Sequence, residues 1–251
     1  MPRKRVWLLN LNVEPYGPVQ ELQNTLVDWR QRDLISDVLL LLEHSPVITL
    51  GRRANEAHIL ASSEVLACEG IEAHRTERGG DVTYHGPGQL VGYPIIHLPS
   101  YALGASDYMH LLEEVIARTL ADYGLATRRR DGIIGVWVGD NKIAALGARI
   151  KRGVTFHGFA LNVAPNMSHW TLIIPCGITD GGVTSMALEL PEAPPISDVR
   201  ACAARHFAEL FDVDLIPTSL VELRDAATAL ARANSGQQVI QTISHQRSLI
   251  P

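Results

Sequence analysis

GIIGVWVGDNKIAALGARIKRGVTFHGFALNV, residues 132–163, decides the fold. Three apolar runs, Gly132 to Val138, Lys142 to Ile150 and Val154 to Val163, are joined by Gly139-Asp140-Asn141 and Lys151-Arg152-Gly153. Both joints have hairpin composition, so the stretch predicts consecutive antiparallel strands. Upstream, Ser106 to Tyr123 sets Tyr108, Leu111, Leu112, Val115, Thr119 and Leu120 on one helical face and stops at Gly124. Pro18 to Arg32 is a second helix by spacing, and Ser62 or Ser63 caps a short one ending at Gly70. Arg5 to Val13, Asp37 to Leu42, Val47 to Leu50, Val82 to Tyr84 and Gln89 to Leu98 are strand-like. Downstream, Ala164 to Ala187 is an ordered loop, and Ser197 to Phe211 and Ser219 to Ala233 are helices. The pattern is α+β, a mixed or antiparallel sheet with helices packed on it. We expect one domain over residues 1–233 and a polar, flexible tail over 234–251.

Composition excludes several classes. The 22 basic and 27 acidic residues give a net charge of −5, too little positive field for strong non-specific nucleic-acid binding. The longest apolar run, Val38 to Leu42, is far short of a membrane span. Arg3-Lys4-Arg5 is followed by a short, broken apolar stretch and no cleavage site, so no signal peptide is expected. Three cysteines, Cys68, Cys176 and Cys202, form no CxxC and no disulfide scaffold, which suits a cytoplasmic protein. Nucleotide-binding glycine loops, the HExxH zinc motif and the GxSxG elbow are absent. Cys202 and His206 stand four apart on a helix but lack further ligands nearby, so no metal site is expected.

Four features carry chemistry, and a basic run stands beside them. Arg78 to Leu90 reads RGGDVTYHGPGQL, and five glycines and a proline fall between Gly79 and Gly92. A hairpin needs two special residues; the rest admit backbone close to a ligand, with Arg78 and His85 as polar contacts. Cys176 lies in IIPCGI, between proline and glycine, as either a nucleophile or a loop thiol. Lys142 is one of three lysines against 19 arginines, and it opens the apolar run IAALGA. It is either an edge lysine facing water or a buried amine able to exchange a proton, which arginine cannot do. His157 to Val163, HGFALNV, is either a buried strand with a structural histidine or a ligand wall. Arg128 to Arg130 is either a solvated strand end or a docking site for an acidic partner.

RGGDVTYHGPGQL, KIAALGARI, HGFALNV and PCGI, in that order and spacing, closely resemble the lipoyl(octanoyl) transferases, the octanoyl-[acyl-carrier-protein]:protein N-octanoyltransferases of lipoate biosynthesis. The match runs from about Leu34 to about Phe211. The resemblance implies the fold shared by biotin and lipoate protein ligases. It implies Cys176 as the acyl-accepting nucleophile and Lys142 as its proton partner. The acyl group would be bound by Arg78, Gly79, Gly80, Asp81, Val82, Thr83, Tyr84 and His85, by Ala145, Leu146 and Gly147, and by Gly158, Phe159 and Ala160. Octanoyl-acyl-carrier-protein would be the donor. Lipoyl domains of 2-oxoacid dehydrogenase E2 subunits and the glycine cleavage H protein would be acceptors. No cofactor is implied, because one thioester is exchanged for another before the amide forms. Both protein substrates are generally acidic, and Arg52, Arg53, Arg128 to Arg130, Lys151 and Arg152 could steer them. An ATP-using ligase of the same fold needs no nucleophilic cysteine. A cysteine hydrolase with His85 or His157 as base would release free octanoate. A silent carrier-protein binder would leave Lys142 and Cys176 without a task.

Overall fold

The computed structural model describes residues 2–130, 132–175 and 181–247. β1 (Lys4–Glu14) leads into α1 (Tyr16–Gln31), followed by β2 (Val38–His44), β3 (Val47–Leu50), α2 (Ser63–Cys68), β4 (Glu72–Arg75), β5 (Val82–His85) and β6 (Gln89–Ile95). After α3 (Ala105–Ala121) come β7 (Arg128–Arg130), β8 (Ile133–Val138), β9 (Asn141–Lys151) and β10 (Val154–Asn162). α4 (Met186–Glu189), α5 (Ile196–Phe211), β11 (Val213–Thr218) and α6 (Leu220–Arg247) follow.

The meander expected over residues 132–163 is β8, β9 and β10, adjacent and antiparallel. Its second turn is a two-residue loop with Arg152 at φ +48° and Gly153 at φ +82°, the type I′ pattern that matches strand twist. The meander sits in an eight-stranded mixed sheet of order β11-β1-β2-β6-β10-β9-β8-β7. Alternation along the central strands loads both faces. Leu39 and Leu41 of β2 join Leu112, Val115, Ile116 of α3 and Phe207 of α5 in one core. Val38, Leu40 and Leu42 join Val19, Leu26 and Val27 of α1 and Leu223 and Ala227 of α6 in another. Burying both faces explains why β2 reads as an unbroken apolar run. A second sheet, β4-β3-β5, has its own small core of Ile48, Tyr84, Trp170 and Ile173.

The chain is thus α+β with a mixed sheet, as expected. β4 and β11 were not expected as strands, and β7 is the strand-end reading of Arg128 to Arg130. β4, β7 and β11 are edge strands, and their sequences EAHR, RRR and VDLIPT lack an apolar alternation. Charge and proline are what edges carry, because they discourage further pairing. The last helix was expected to end at Ala233; α6 instead runs on to Arg247. That stretch holds no proline and one glycine, Gly236, so a helix nucleated on the packed first turns can propagate through it. No helix among the described residues is long and apolar enough to cross a membrane.

Candidate active site

Where the small sheet meets β9 and β10 lies a cavity with about 450 Å³ of non-atom space, part of it open to solvent. Its lining draws Arg78, Gly79, Gly80, Thr83 and His85 from the glycine-rich stretch, and Ala145, Leu146 and Gly147 from β9. Gly158, Phe159 and Ala160 come from β10. Three segments far apart in sequence therefore meet at one space. Asp81, Val82 and Tyr84, also expected at the acyl site, do not line it. The two-residue period of β5 turns Thr83 and His85 toward the cavity and Val82 and Tyr84 into the small sheet's own core. Asp81 instead braces the neighbouring loop, accepting from the Asn55 N–H at 3.0 Å and bonding His58.

Two glycines of the lining, Gly147 and Gly158, give room to neighbouring backbone. A Cβ on Gly147 would stand 2.8 Å from the Gly79 carbonyl oxygen, and one on Gly158 would stand 2.3 Å from that of Gly92. They let strand backbones close on one another, and that closure shapes the cavity. Arg78 is buried, and its guanidinium donates to Thr49 Oγ1 and to the carbonyls of Thr49, Gly79 and Asp81 at 2.7–3.0 Å. It ties the glycine loop to β3.

Lys142 is 5% exposed, which removes the reading of an edge lysine in water. Its Nζ lies 4.9 Å from the centre of the Trp137 ring. Room for its stem exists because position 135 is glycine: a Cβ there would sit 2.9 Å from Lys142 Cε. The Lys142 N–H donates to the Gly182 carbonyl (2.9 Å), and the Thr184 N–H donates to the Lys142 carbonyl (3.0 Å). An adjoining small space is lined by Lys142, Asn162, Trp170, Pro175 and Val183, and shares Thr83, Ala145 and Ala160 with the cavity. Cys176, the other expected catalytic residue, lies outside the described residues with its followers through Asp180; Pro175 directly precedes it.

His157, singled out with the HGFALNV strand, lines the cavity, and Tyr16 and Tyr93, which were not singled out from sequence, complete the lining. Behind it, Gln89 Nε2 donates to Asn162 Oδ1 (2.9 Å), and Asn162 Nδ2 donates to the Thr184 carbonyl (2.9 Å). His85 Nδ1 bonds Gln89 Oε1 at 2.7 Å, so one polar chain links the cavity wall to the segment beside Lys142. Gln89 and Asn162 were legible as polar residues inside otherwise apolar strands; Tyr16 and Tyr93 carried no signal beyond being aromatic. Burial drives the pKa of His85 far down, that of His157 to about 3 and that of His44 to about 4. The nearby Arg78 charge adds to the effect at His85 and His157. All three rings are neutral near pH 7.

Away from the cavity, Asp122 joins Cys202 and His206, with Cys202 Sγ and His206 Nε2 both 3.0 Å from Asp122 Oδ2. Arg205 already supplies the positive charge, bonding Asp122 and lying 3.2 Å from His206 Nε2 and 3.5 Å from Cys202 Sγ. The basic run is likewise engaged: Arg128 and Arg130 pair with Asp140, and Arg129 with Glu114.

The lipoyl protein ligase A/B catalytic domain model matches residues 15–208. An octanoyltransferase of Koribacter versatilis is 47% identical over 227 residues, covering 85% of this chain and 90% of the relative. One from Acidobacterium capsulatum is 48% identical over 219 residues, covering 81% and 89%. The chain belongs to the octanoyltransferase family. Octanoyltransferases are acyltransferases of protein lipoylation, and this chain is one of them. Its fold recurs in a bi-partite lipoate protein ligase from Thermoplasma acidophilum, with TM-score 0.67 at 18% identity over 92% of each chain. The expected biotin/lipoate-ligase-like architecture is thus the observed one.

Proposed function

We propose that this octanoyltransferase works in two thioester-mediated steps, with Cys176 as nucleophile and Lys142 as its proton partner. The Cys176 thiolate attacks the carbonyl of an octanoyl thioester on acyl-carrier protein. The carrier thiolate leaves and takes a proton from the Lys142 ammonium, which becomes the neutral amine of the second step. The ε-amine of a lipoyl-domain lysine then attacks the octanoyl-Cys176 carbonyl, loses a proton and forms the amide, and the Cys176 thiolate is expelled. The two thioesters are close in energy, so the first step needs no activation, and amide formation drives the second. The Lys142 ammonium favours the thiolate, and its neutral amine accepts the proton of the incoming lysine. Lipoyl domains of 2-oxoacid dehydrogenase E2 subunits and the glycine cleavage H protein are the acceptors.

The observation that carries this reading is the convergence of three motif segments on one cavity that adjoins buried Lys142, with Pro175 in the same small space as the lysine. Exposed Arg52 and Arg53 flank the glycine loop at Gly79 and Gly80 and suit an acidic carrier. The test is intact mass after mixing with octanoyl-carrier protein. One octanoyl adduct is expected on the parent and none on Cys176→Ser. An adduct that persists in Cys176→Ser, or direct transfer with no adduct in single turnover, overturns the covalent step.

A further inference from the structure

The cavity has a direction. On β9, Lys142 and Ala144 line the small adjoining space, Ala145 lines both, and Gly147 lines only the main cavity. On β10 the order is Asn162, then Ala160, then Gly158 and His157. Five residues of strand separate Lys142 from Gly147, about 17 Å at the usual rise. An acyl chain whose carbonyl reacts beside Lys142 therefore points its methyl end at His157.

Beside His157 the lining is completed by Tyr16 and Tyr93, the Tyr93 ring 6.0 Å from that of His157. Each of the three rings carries a polar atom bonded to a residue behind the lining. Tyr93 OH donates to His44 Nε2 at 2.8 Å, because His44 Nδ1 is committed to the Glu14 carbonyl at 3.0 Å. Tyr16 OH donates to Thr76 Oγ1 at 3.0 Å, and that threonine oxygen lies 3.3 Å from His157 Nε2. The Thr76 hydroxyl thus bonds both rings and joins them. The lining is mostly apolar, which suits a hydrocarbon, while these bonds fix how each ring lies.

His157 is also strained: its φ is +56°, a left-handed conformation that a non-glycine residue rarely adopts. Such strain persists only where neighbours over-determine it, and it gathers at functional sites. Two neighbours do so here: Gln23 Oε1 of α1 accepts the His157 N–H at 2.7 Å, and Thr76 holds the ring.

We propose that Thr76, with Gln23, sets the acyl length this enzyme accepts by locking Tyr16 and His157 as a rigid end wall. Thr76 is a positioning residue: it touches the rings and does not line the cavity. The inference rests on reading the cavity as the acyl site. With the wall locked, a chain longer than octanoyl must break the Tyr16–Thr76–His157 bridge. With the bridge removed, His157 can relax out of its strained conformation and the wall yields.

The experiment is a competition between octanoyl- and decanoyl-carrier protein, read as the ratio of the two amides on a lipoyl domain. Thr76→Val keeps the shape and removes the hydroxyl; Thr76→Ser keeps the hydroxyl. The decanoyl-to-octanoyl ratio should rise about five-fold or more in Thr76→Val and stay at the parent value in Thr76→Ser. Tyr16→Phe breaks the same bridge from its other side and should also raise the ratio, which covers the case of a Thr76→Val protein that does not fold. An unchanged ratio in either folded variant overturns the proposal. Failure of the parent to transfer any acyl group would instead strike at the function proposed above.

Discussion

Lys142 is one of three lysines in a chain with 19 arginines, and it is the one set in a strand and buried. Arginine would keep the charge beside a thiolate but could not become neutral to take a proton. Lys142→Arg should therefore let the acyl group load and then stall it. Transfer should fall about 10²-fold or more, the scale of lost general-base catalysis, while the octanoyl adduct accumulates. Transfer at the parent rate would reduce Lys142 to a fixed charge. The three cysteines separate in the same assay. Cys68 is exposed and Cys202 donates to Asp122 on the surface of α5, so their serine variants should keep parent-like rates. Cys176→Ser should lose transfer by at least about 10³-fold, as enzymes do on losing a covalent nucleophile. Loss of activity in folded Cys68→Ser or Cys202→Ser would move the assignment away from Cys176.

At the scale of elements, β8 and β9 place the lysine through a glycine. A Cβ at Gly135 would sit 2.8 Å from the Trp137 ring and 2.9 Å from Lys142 Cε, so Gly135→Ala must shift one of them. Such overpacking costs about 1–3 kcal/mol, and a shift of Lys142 would move the amine proposed as the proton partner. We expect a folded Gly135→Ala protein with lower Tm and with kcat reduced more than KM is changed. A fall in Tm with kcat intact would mean that Trp137 yields instead. This coupling was not legible in the sequence, where Gly135 is only a gap in an apolar run. The meander itself was legible, because buried strands and two-residue turns leave strong local signals in GDN and KRG. β4 and β11 were not, since half-exposed edges carry no sustained alternation. At the site, the glycine-rich stretch and the β9 and β10 motifs stood out by composition. Tyr16 and Thr76 did not, because their part in the end wall exists only once α1 and the loop after β4 are packed together.

For the whole molecule, the site is also a junction. His44 of β2, His85 of β5 and His157 of β10 come from two sheets, and Tyr16 of α1 lies against the first two, with ring centres 5.1 and 6.4 Å away. Assembling them in one buried place fixes the rings that close the cavity, and it makes stability depend on pH. Their folded pKa values lie below the unfolded value of 6.5, at about 4 for His44 and about 3 for His157, and well below it for His85. Burial is the main cause in each case. The unfolded chain therefore binds protons first as pH falls. The stabilisation is fully present above pH 6.5 and is lost progressively as pH drops from there toward the folded values. Each histidine contributes up to about 1.4 kcal/mol per pH unit within that window. Carboxylates with ordinary values near 4 titrate mostly below it, so the interval from pH 7 to pH 5 isolates the histidines. Unfolding in urea at steps across that interval should show stability falling by several kcal/mol, with Tm lower by on the order of 10 °C at pH 5. His44→Gln removes one titrating ring and should make the fall shallower by about one proton's worth. A flat profile between pH 7 and pH 5, or an unchanged slope in folded His44→Gln, would show that these rings are not held neutral by the fold.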